Sequence, residues 1–271
     1  MRLIYDKESI KRVGPKSRED INLQRKQSRF IVKSGLTKAT DQKILGFVWL
    51  ILEPLMLSLV YLFVFTVIKA RIAPGSIFIG ITLYRVFSSS IMSGLKMVND
   101  SGSVIKCERI DSSVILKAAM MRRSIESIFA TVPTSLILVF GFGINWEGGV
   151  IYILIAQLSS FIFFGLGLCL TGLVRRIPDL SVVISLTLRL GFFLSPAIYP
   201  MHKMTGLHYQ FNEYNPFAYV AEFTRYVAGE ISTFEELSMN KLAIIYALVI
   251  ISMIWALKRF DKLQWRVSTW S

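Results

Sequence analysis

Residues 44–68 read ILGFVWLILEPLMLSLVYLFVFTVI. A helix needs ~20 apolar residues to cross a ~30 Å hydrocarbon layer, and this run is long enough. It is also broken in its middle by a carboxylate and an imino acid, Glu53 and Pro54. An unpaired carboxylate facing lipid costs at least ~2.5 kcal/mol, so Glu53 is expected to face protein, water or a partner. Pro54 cannot donate to the carbonyl of Leu50, so the helix is expected to bend there. The run therefore sets the class, a membrane protein, and leaves one question: what Glu53 faces.

Outward from this stretch, five more apolar runs follow, at 77–98, 125–145, 150–174, 180–200 and 242–257. The chain is 53% hydrophobic. A soluble domain would be about half apolar too, so the clustering decides and the percentage does not. The expected fold is an all-α integral membrane protein with six transmembrane helices. Asn145-Trp146-Glu147-Gly148-Gly149 makes the third and fourth spans an antiparallel hairpin.

The net charge is +13. On a soluble chain that would suggest nucleic acid. Here it reports sidedness, and no nucleic-acid partner is expected. Alternate segments between the runs hold 24 and 5 Lys and Arg residues, with Arg85 and Arg189 inside spans. Positive loops stay cytoplasmic, so both termini are expected inside and the span number even. The 43 residues before the first run are too long and too charged for the start of a cleaved leader, so the first span reads as an uncleaved anchor. The organisation is then 1–43 as a cytoplasmic region with an amphipathic interface helix, 44–257 as the membrane domain and 258–271 as a cytoplasmic tail. Residues 1–20 read as a solvated basic tail. From Ile21 onward, Ile21, Phe30, Ile31 and Leu36 are expected at the membrane surface, with Lys and Arg on lipid phosphates.

Much chemistry is missing. No G-x-x-x-x-G-K-[ST] loop occurs, so no ATP site is encoded. GLGLCL at 165–170 lacks a third glycine and reads as close helix packing. Cys107 and Cys169 form no framework, and His202 and His208 have no metal-binding pattern around them. No metal, cofactor or catalytic residue is expected on this chain.

Three motifs then stand in order: LGFVWLILEPLM at 45–56, FFLSPAIYP at 192–200 and NPFAYVAEFTRYVAG at 215–229. With six spans and a basic N-terminal helix, these resemble the membrane subunit of polysaccharide ABC exporters, the family that moves capsule, O-antigen or teichoic-acid chains. The Glu-Pro form of the first motif is similar to capsule-type members. The resemblance implies a homodimer in the cytoplasmic (inner) membrane, paired with two copies of a separate ATPase subunit that binds ATP and Mg. It implies that a lipid-linked glycan passes between the two membrane subunits. It also implies that residues 99–124 couple to the ATPase, with Val104, Ile105, Arg109, Ile110 and Asp111 at the contact. Arg175, Arg176 and Asp179 stand at the second inner turn. The 99–124 stretch departs from the commoner family pattern, which has a Pro before its helix.

The third motif reads physically as a short amphipathic helix at the outer surface. Asn215 is a good N-cap, Pro216 fits the first turn and Gly229 the stop. Glu222 and Arg225 are spaced to pair. In the family such helices re-enter the membrane and gate the exit; a simple interfacial anchor is the other reading. Sugars stack on aromatic rings, and Trp49, Phe192, Phe193 and Tyr199 adjoin the motifs, so they are candidate channel residues with Glu53. Tyr61, Tyr84 and Phe87 are further candidates, and Tyr61 and Phe87 read equally as contacts to lipid or neighbouring helices. For Glu53 itself the expected partner is Arg189, or a network shared with Arg85; a wet cavity is the alternative. An exporter of a lipid or drug, and a membrane-embedded glycosyl- or acyltransferase, are the competing functions.

Overall fold

The computed structural model describes residues 3–6, 9–12, 18–40, 48–67, 73–107 and 112–231, with most positions between 244 and 258. Strands β1 (Leu3–Asp6) and β2 (Ser9–Arg12) pair antiparallel, Tyr5 opposite Ile10. The rest is helical: α1 (Arg18–Thr40), α2 (Val48–Val67), α3 (Pro74–Cys107), α4 (Ser112–Phe142), α5 (Trp146–Arg176), α6 (Leu180–Leu194), α7 (Gly206–Asn212) and α8 (Pro216–Val227). The hairpin is an exception to the all-α expectation; the other described elements are helical. Ile4 and Tyr5 suit a strand and stand opposite Lys11 and Ile10.

Three stretches are long and apolar enough to cross a membrane: Pro74–Met97, Ser113–Phe142 and Trp146–Val174. Ile51–Val64 and Leu180–Leu194 are shorter apolar helices. Positions 244–258 that are described are helical. The protein is thus a multi-pass membrane protein. Its helices overrun the hydropathy boundaries between the second and third spans. α3 runs on to Cys107, and α4 begins at Ser112, more than three turns before the apolar run that shows in the sequence. The fifth span is shorter than expected. α6 ends at Leu194 because Ser195 takes an extended conformation, and Pro196 follows. Fifteen helical residues reach only ~22 Å, so α6 alone falls short of a bilayer core. α2 continues through Pro54 rather than ending there.

The core is built on α3 and α5. Their backbones touch at two glycines. A Cβ on Gly94 would lie 2.1 Å from the Phe164 carbonyl oxygen, and one on Gly167 2.1 Å from that of Ile91. GLGLCL therefore packs helices, as its small residues suggest. Hydroxyls close the same seam: Thr171 donates to the Gly94 carbonyl at 3.1 Å, and Thr82 and Tyr152 pair at 2.7 Å. α1 docks on α4 through Val32, Leu36 and Ala118, with Ser28 donating to the Val114 carbonyl. Ile31 and Leu36 thus pack on protein, correcting their expected lipid contact. Ile21, Leu23 and Phe30 are exposed, and Phe30 is 74% so.

Candidate functional site

A cavity of about 400 Å³ opens between α2, α3 and α6. Each wall follows helical spacing. α2 contributes Leu57 and Tyr61, four and eight residues after Glu53. α3 contributes Ile81, Arg85, Ser88 and Met92, with Tyr84 and Ser89 beside them. α6 contributes Ser185, Leu188, Arg189, Phe192 and Phe193. Rings join these walls. Tyr61 and Phe192 have centroids 5.3 Å apart, Phe192 and Tyr84 5.3 Å, and Phe192 and Phe193 5.2 Å. The chain of rings continues inward from Tyr84 to Phe217 of α8 at 4.9 Å, and through Phe87 to Phe163 of α5 at 4.5 Å. Tyr84 also donates its hydroxyl to the Leu188 carbonyl, fixing α6 to α3.

Glu53 forms an ion pair with Arg85, not with Arg189. The expectation had matched Glu53 and Arg189 by depth. Depth alone does not set rotation about the helix axis, and Arg85 projects from the helix that packs on α2. Arg189 lines the cavity, is exposed, and has no ion-pair or hydrogen-bond partner among the described residues. Of the proposed channel residues, Phe192 and Phe193 line the cavity. Trp49 sits on the exposed first turn of α2, away from it. Tyr199 lies beyond it, donating to the Phe193 carbonyl at 2.9 Å and packing its ring on His208. Tyr61 and Tyr84 belong to the cavity and were not favoured from sequence. Their spacing from Glu53 and Arg85 was the available signal.

On the other side of Tyr84 stands α8. The Asn215 side chain accepts from the Phe217 N–H at 3.0 Å, Pro216 opens the helix, and Gly229 closes it at φ 75°. Phe217, Ala218, Tyr219, Val220, Ala221, Glu222, Thr224 and Arg225 are all buried. The helix is therefore inserted among the spans rather than lying on the outer surface, which corrects that expectation. Phe217 packs on Tyr84, ten residues or ~15 Å along α3, while Arg225 bonds Ser76 in α3's first turn. α8 thus runs alongside the first three turns of α3.

Arg225 is fully buried and almost saturated. It donates to Glu222 at 2.7 Å and to the carbonyls of Pro196 at 2.7 Å, Ala197 at 3.1 Å and Ser76 at 3.2 Å. One guanidinium ties α8, the break after α6 and the start of α3. Gly80 makes room for it: a Cβ there would lie 1.9 Å from the Ala197 carbonyl oxygen. Glu230 accepts from the Ser76 N–H at 3.2 Å. Burial pushes the Glu230 carboxyl up, against the Ser76 bond and the Arg225 charge, which pull it down.

A further charged group was not read from sequence. Glu126 of α4 accepts from Arg122 at 2.8 Å and Arg123 at 3.1 Å, and Arg123 also donates to Ser160 of α5 at 3.1 Å. The spacings i,i+4 and i,i+3 were its signal. At the turn between α5 and α6, Arg176 ends α5 and Asp179 precedes α6, both exposed. The backbones of Val104 and Ile105 are in the last turns of α3. The Arg175 side chain, and Arg109, Ile110 and Asp111 entirely, lie outside the described residues.

Comparison with known proteins bears on the whole of this arrangement. The model of a family described as ABC-2 type transporter matches residues 26–228. An O-antigen export system permease protein RfbA of Klebsiella pneumoniae is 25% identical over 250 residues, covering 87% of this chain and 91% of that protein. A second Klebsiella pneumoniae RfbA is 26% identical over the same coverage. An RfbA of Myxococcus xanthus is 25% identical over 162 residues, 58% of this chain and 62% of its own length.

Proposed function

The chain belongs to the ABC-2 type transporter family, and from that premise we propose that it is the membrane subunit of an ATP-driven exporter of a lipid-linked polysaccharide. In this reading two copies assemble in the cytoplasmic membrane with two copies of a separate ATPase subunit, which binds the ATP and Mg. The six apolar runs span the bilayer with both termini inside, as the Lys and Arg asymmetry requires. Residues 99–124 and the Arg175–Asp179 turn carry ATPase motion to the spans.

The observation that carries the reading is the aromatic, mostly apolar cavity between α2, α3 and α6. Tyr61, Tyr84, Phe192 and Phe193 offer ring faces against which sugar C–H groups stack. Glu53 and Arg85 hold each other, so a charge pair sits in the wall without an isolated ion facing lipid. α6 has no buried residue, and Val182, Leu186, Leu190 and Phe193 are exposed. A second copy against this face would close the cavity into a passage. The three similar permeases named for O-antigen export support a glycan cargo over a drug. α8, tied down by Arg225, is the outer gate in this account, with Asn215 and Pro216 setting its inner end.

The test is co-purification of the tagged chain with candidate ATPase subunits, followed by an ATPase assay. A stable complex with two copies of each subunit and glycan-lipid-stimulated hydrolysis is the expected result. A monomer that binds no ATPase subunit overturns the reading.

A further inference from the structure

The last carbonyl of α6 and the first turn of α8 are joined through two side chains. α6 stops at Leu194 and α8 starts at Pro216. A helix leaves its last carbonyls and its first N–H groups without partners of its own. Here two asparagines connect one set to the other. The Phe217 N–H donates to Asn215 Oδ1 at 3.0 Å, Asn215 Nδ2 donates to Asn212 Oδ1 at 3.1 Å, and Asn212 Nδ2 donates to the Leu194 carbonyl at 2.7 Å. Every donor in this line points the same way, so each bond polarises the next. Asn212 is fully buried, and its Nδ2 also meets the His208 carbonyl at 3.0 Å and the Met204 sulfur at 3.4 Å. Both amide hydrogens are thus committed, and the side chain cannot turn to a new partner without breaking the line.

α6 has no buried residue and is held at its carbonyls: Leu188 takes the Tyr84 hydroxyl, Phe193 that of Tyr199, and Leu194 the His208 imidazole beside Asn212. A helix held at points can shift without opening a packed core. α8 is buried, and Arg225 fixes its far end to Ser76, Pro196 and Ala197. Its near end carries Asn215. We propose that Asn212 and Asn215 are positioning residues that make the cavity wall on α6 and the near end of α8 move together. Displacement of Phe192 and Phe193, on the last turn of α6, then swings α8 about its Arg225 end. The inference rests on the exporter reading only in taking α8 as the outer gate. A rival route joins the same two helices, because Tyr84 bonds Leu188 and its ring lies 4.9 Å from that of Phe217.

The experiment uses the full-length chain in nanodiscs, with Cys107→Ser and Cys169→Ala removing the native thiols. Ala221→Cys places a thiol at a fully buried position of α8, and its rate of reaction with a water-soluble maleimide reads how often α8 opens. α6 is displaced by Gly191→Ala, since a Cβ there would lie 2.8 Å from the Tyr84 hydroxyl. Asn212→Asp and Asn215→Asp each remove one donor from the line. Asn215→Asp still accepts from the Phe217 N–H and so keeps the cap of α8. With both asparagines present, Gly191→Ala is expected to raise the labelling rate about tenfold. With either one replaced, the same change is expected to raise it less than about twofold, because unlinked sites act independently. Should buried Asn212→Asp fail to fold, half-buried Asn215→Asp carries the test by itself. A merely structural role would raise labelling in the Asp variants and leave the Gly191→Ala factor at full size. That outcome overturns the proposal and assigns the linkage to the rings of Tyr84 and Phe217. Gly191→Ala without effect in the presence of both asparagines overturns it as well. Because no ATPase takes part, either failure leaves the exporter reading standing, and a missing ATPase partner leaves a measured linkage standing.

Discussion

α6 and α8 are both short and each has a proline at one boundary, Pro196 after α6 and Pro216 at the start of α8, yet the protein treats them oppositely. α8 has eight of its twelve residues buried, and its one arginine is engaged on four sides. α6 has none of its fifteen residues buried, and its one arginine is unengaged among the described residues. Hydropathy does not account for this, since α6 is the more apolar of the two and the less buried. What separates them is what surrounds each: α8 is closed within the protomer, and α6 presents a face that the protomer does not cover. A helix of the first kind holds the fold together. A helix of the second kind is available to a second copy and to a ligand.

That contrast can be broken at four places, ranked here by their effect on the stability of the protomer. Arg225→Met should cost about 3–5 kcal/mol, because it strands the buried Glu222 carboxylate and three carbonyls; a melting temperature near that of wild type would break the claim that α8 is stapled. Arg225→Lys should rescue little, since an ammonium cannot reach the same acceptors. Gly80→Ala should cost about 1–3 kcal/mol, because Ala197 must move away from the new methyl. Its readout is thermal unfolding followed by intrinsic tryptophan fluorescence. Glu53→Gln should change stability by at most about 1 kcal/mol, because the pair is partly exposed, with side chains 33% and 52% accessible; transport assayed in the same variant tells whether the pair is decoration. Val183→Trp with Leu190→Trp should alter the protomer by less than about 0.5 kcal/mol, since both positions are exposed, with Leu190 65% so. The same double variant should shift the purified protein from dimer to monomer by light scattering. An unchanged dimer would place the interface elsewhere.

The sequence made the helices legible because each apolar run is long and the charges between runs are sharply segregated. It made the ends of α8 legible because Asn215, Pro216 and Gly229 act through local backbone chemistry, as does the three-residue spacing of Glu222 and Arg225. Burial of α8 was not legible. An amphipathic pattern reports a polar face and an apolar one, but Arg225 on the polar face finds its acceptors on segments 28 to 149 residues away. The choice between Arg189 and Arg85 as the partner of Glu53 was open for a related reason: distance along a helix is readable, and which neighbour the side chain turns toward is not. The strand pair at residues 3–6 and 9–12 was hidden by its charge, which looks the same in a tail and in a hairpin.

The most direct test of the central claim is transport itself. The chain and its cognate ATPase subunit are reconstituted in proteoliposomes with a lipid-linked glycan on the outer leaflet, and the glycan carried to the lumen is measured by its protection from an added glycosidase. The account predicts ATP-dependent protection that needs both subunits and falls when the cavity is filled by Ser88→Trp. Protection without ATP, or undiminished by that substitution, would contradict it.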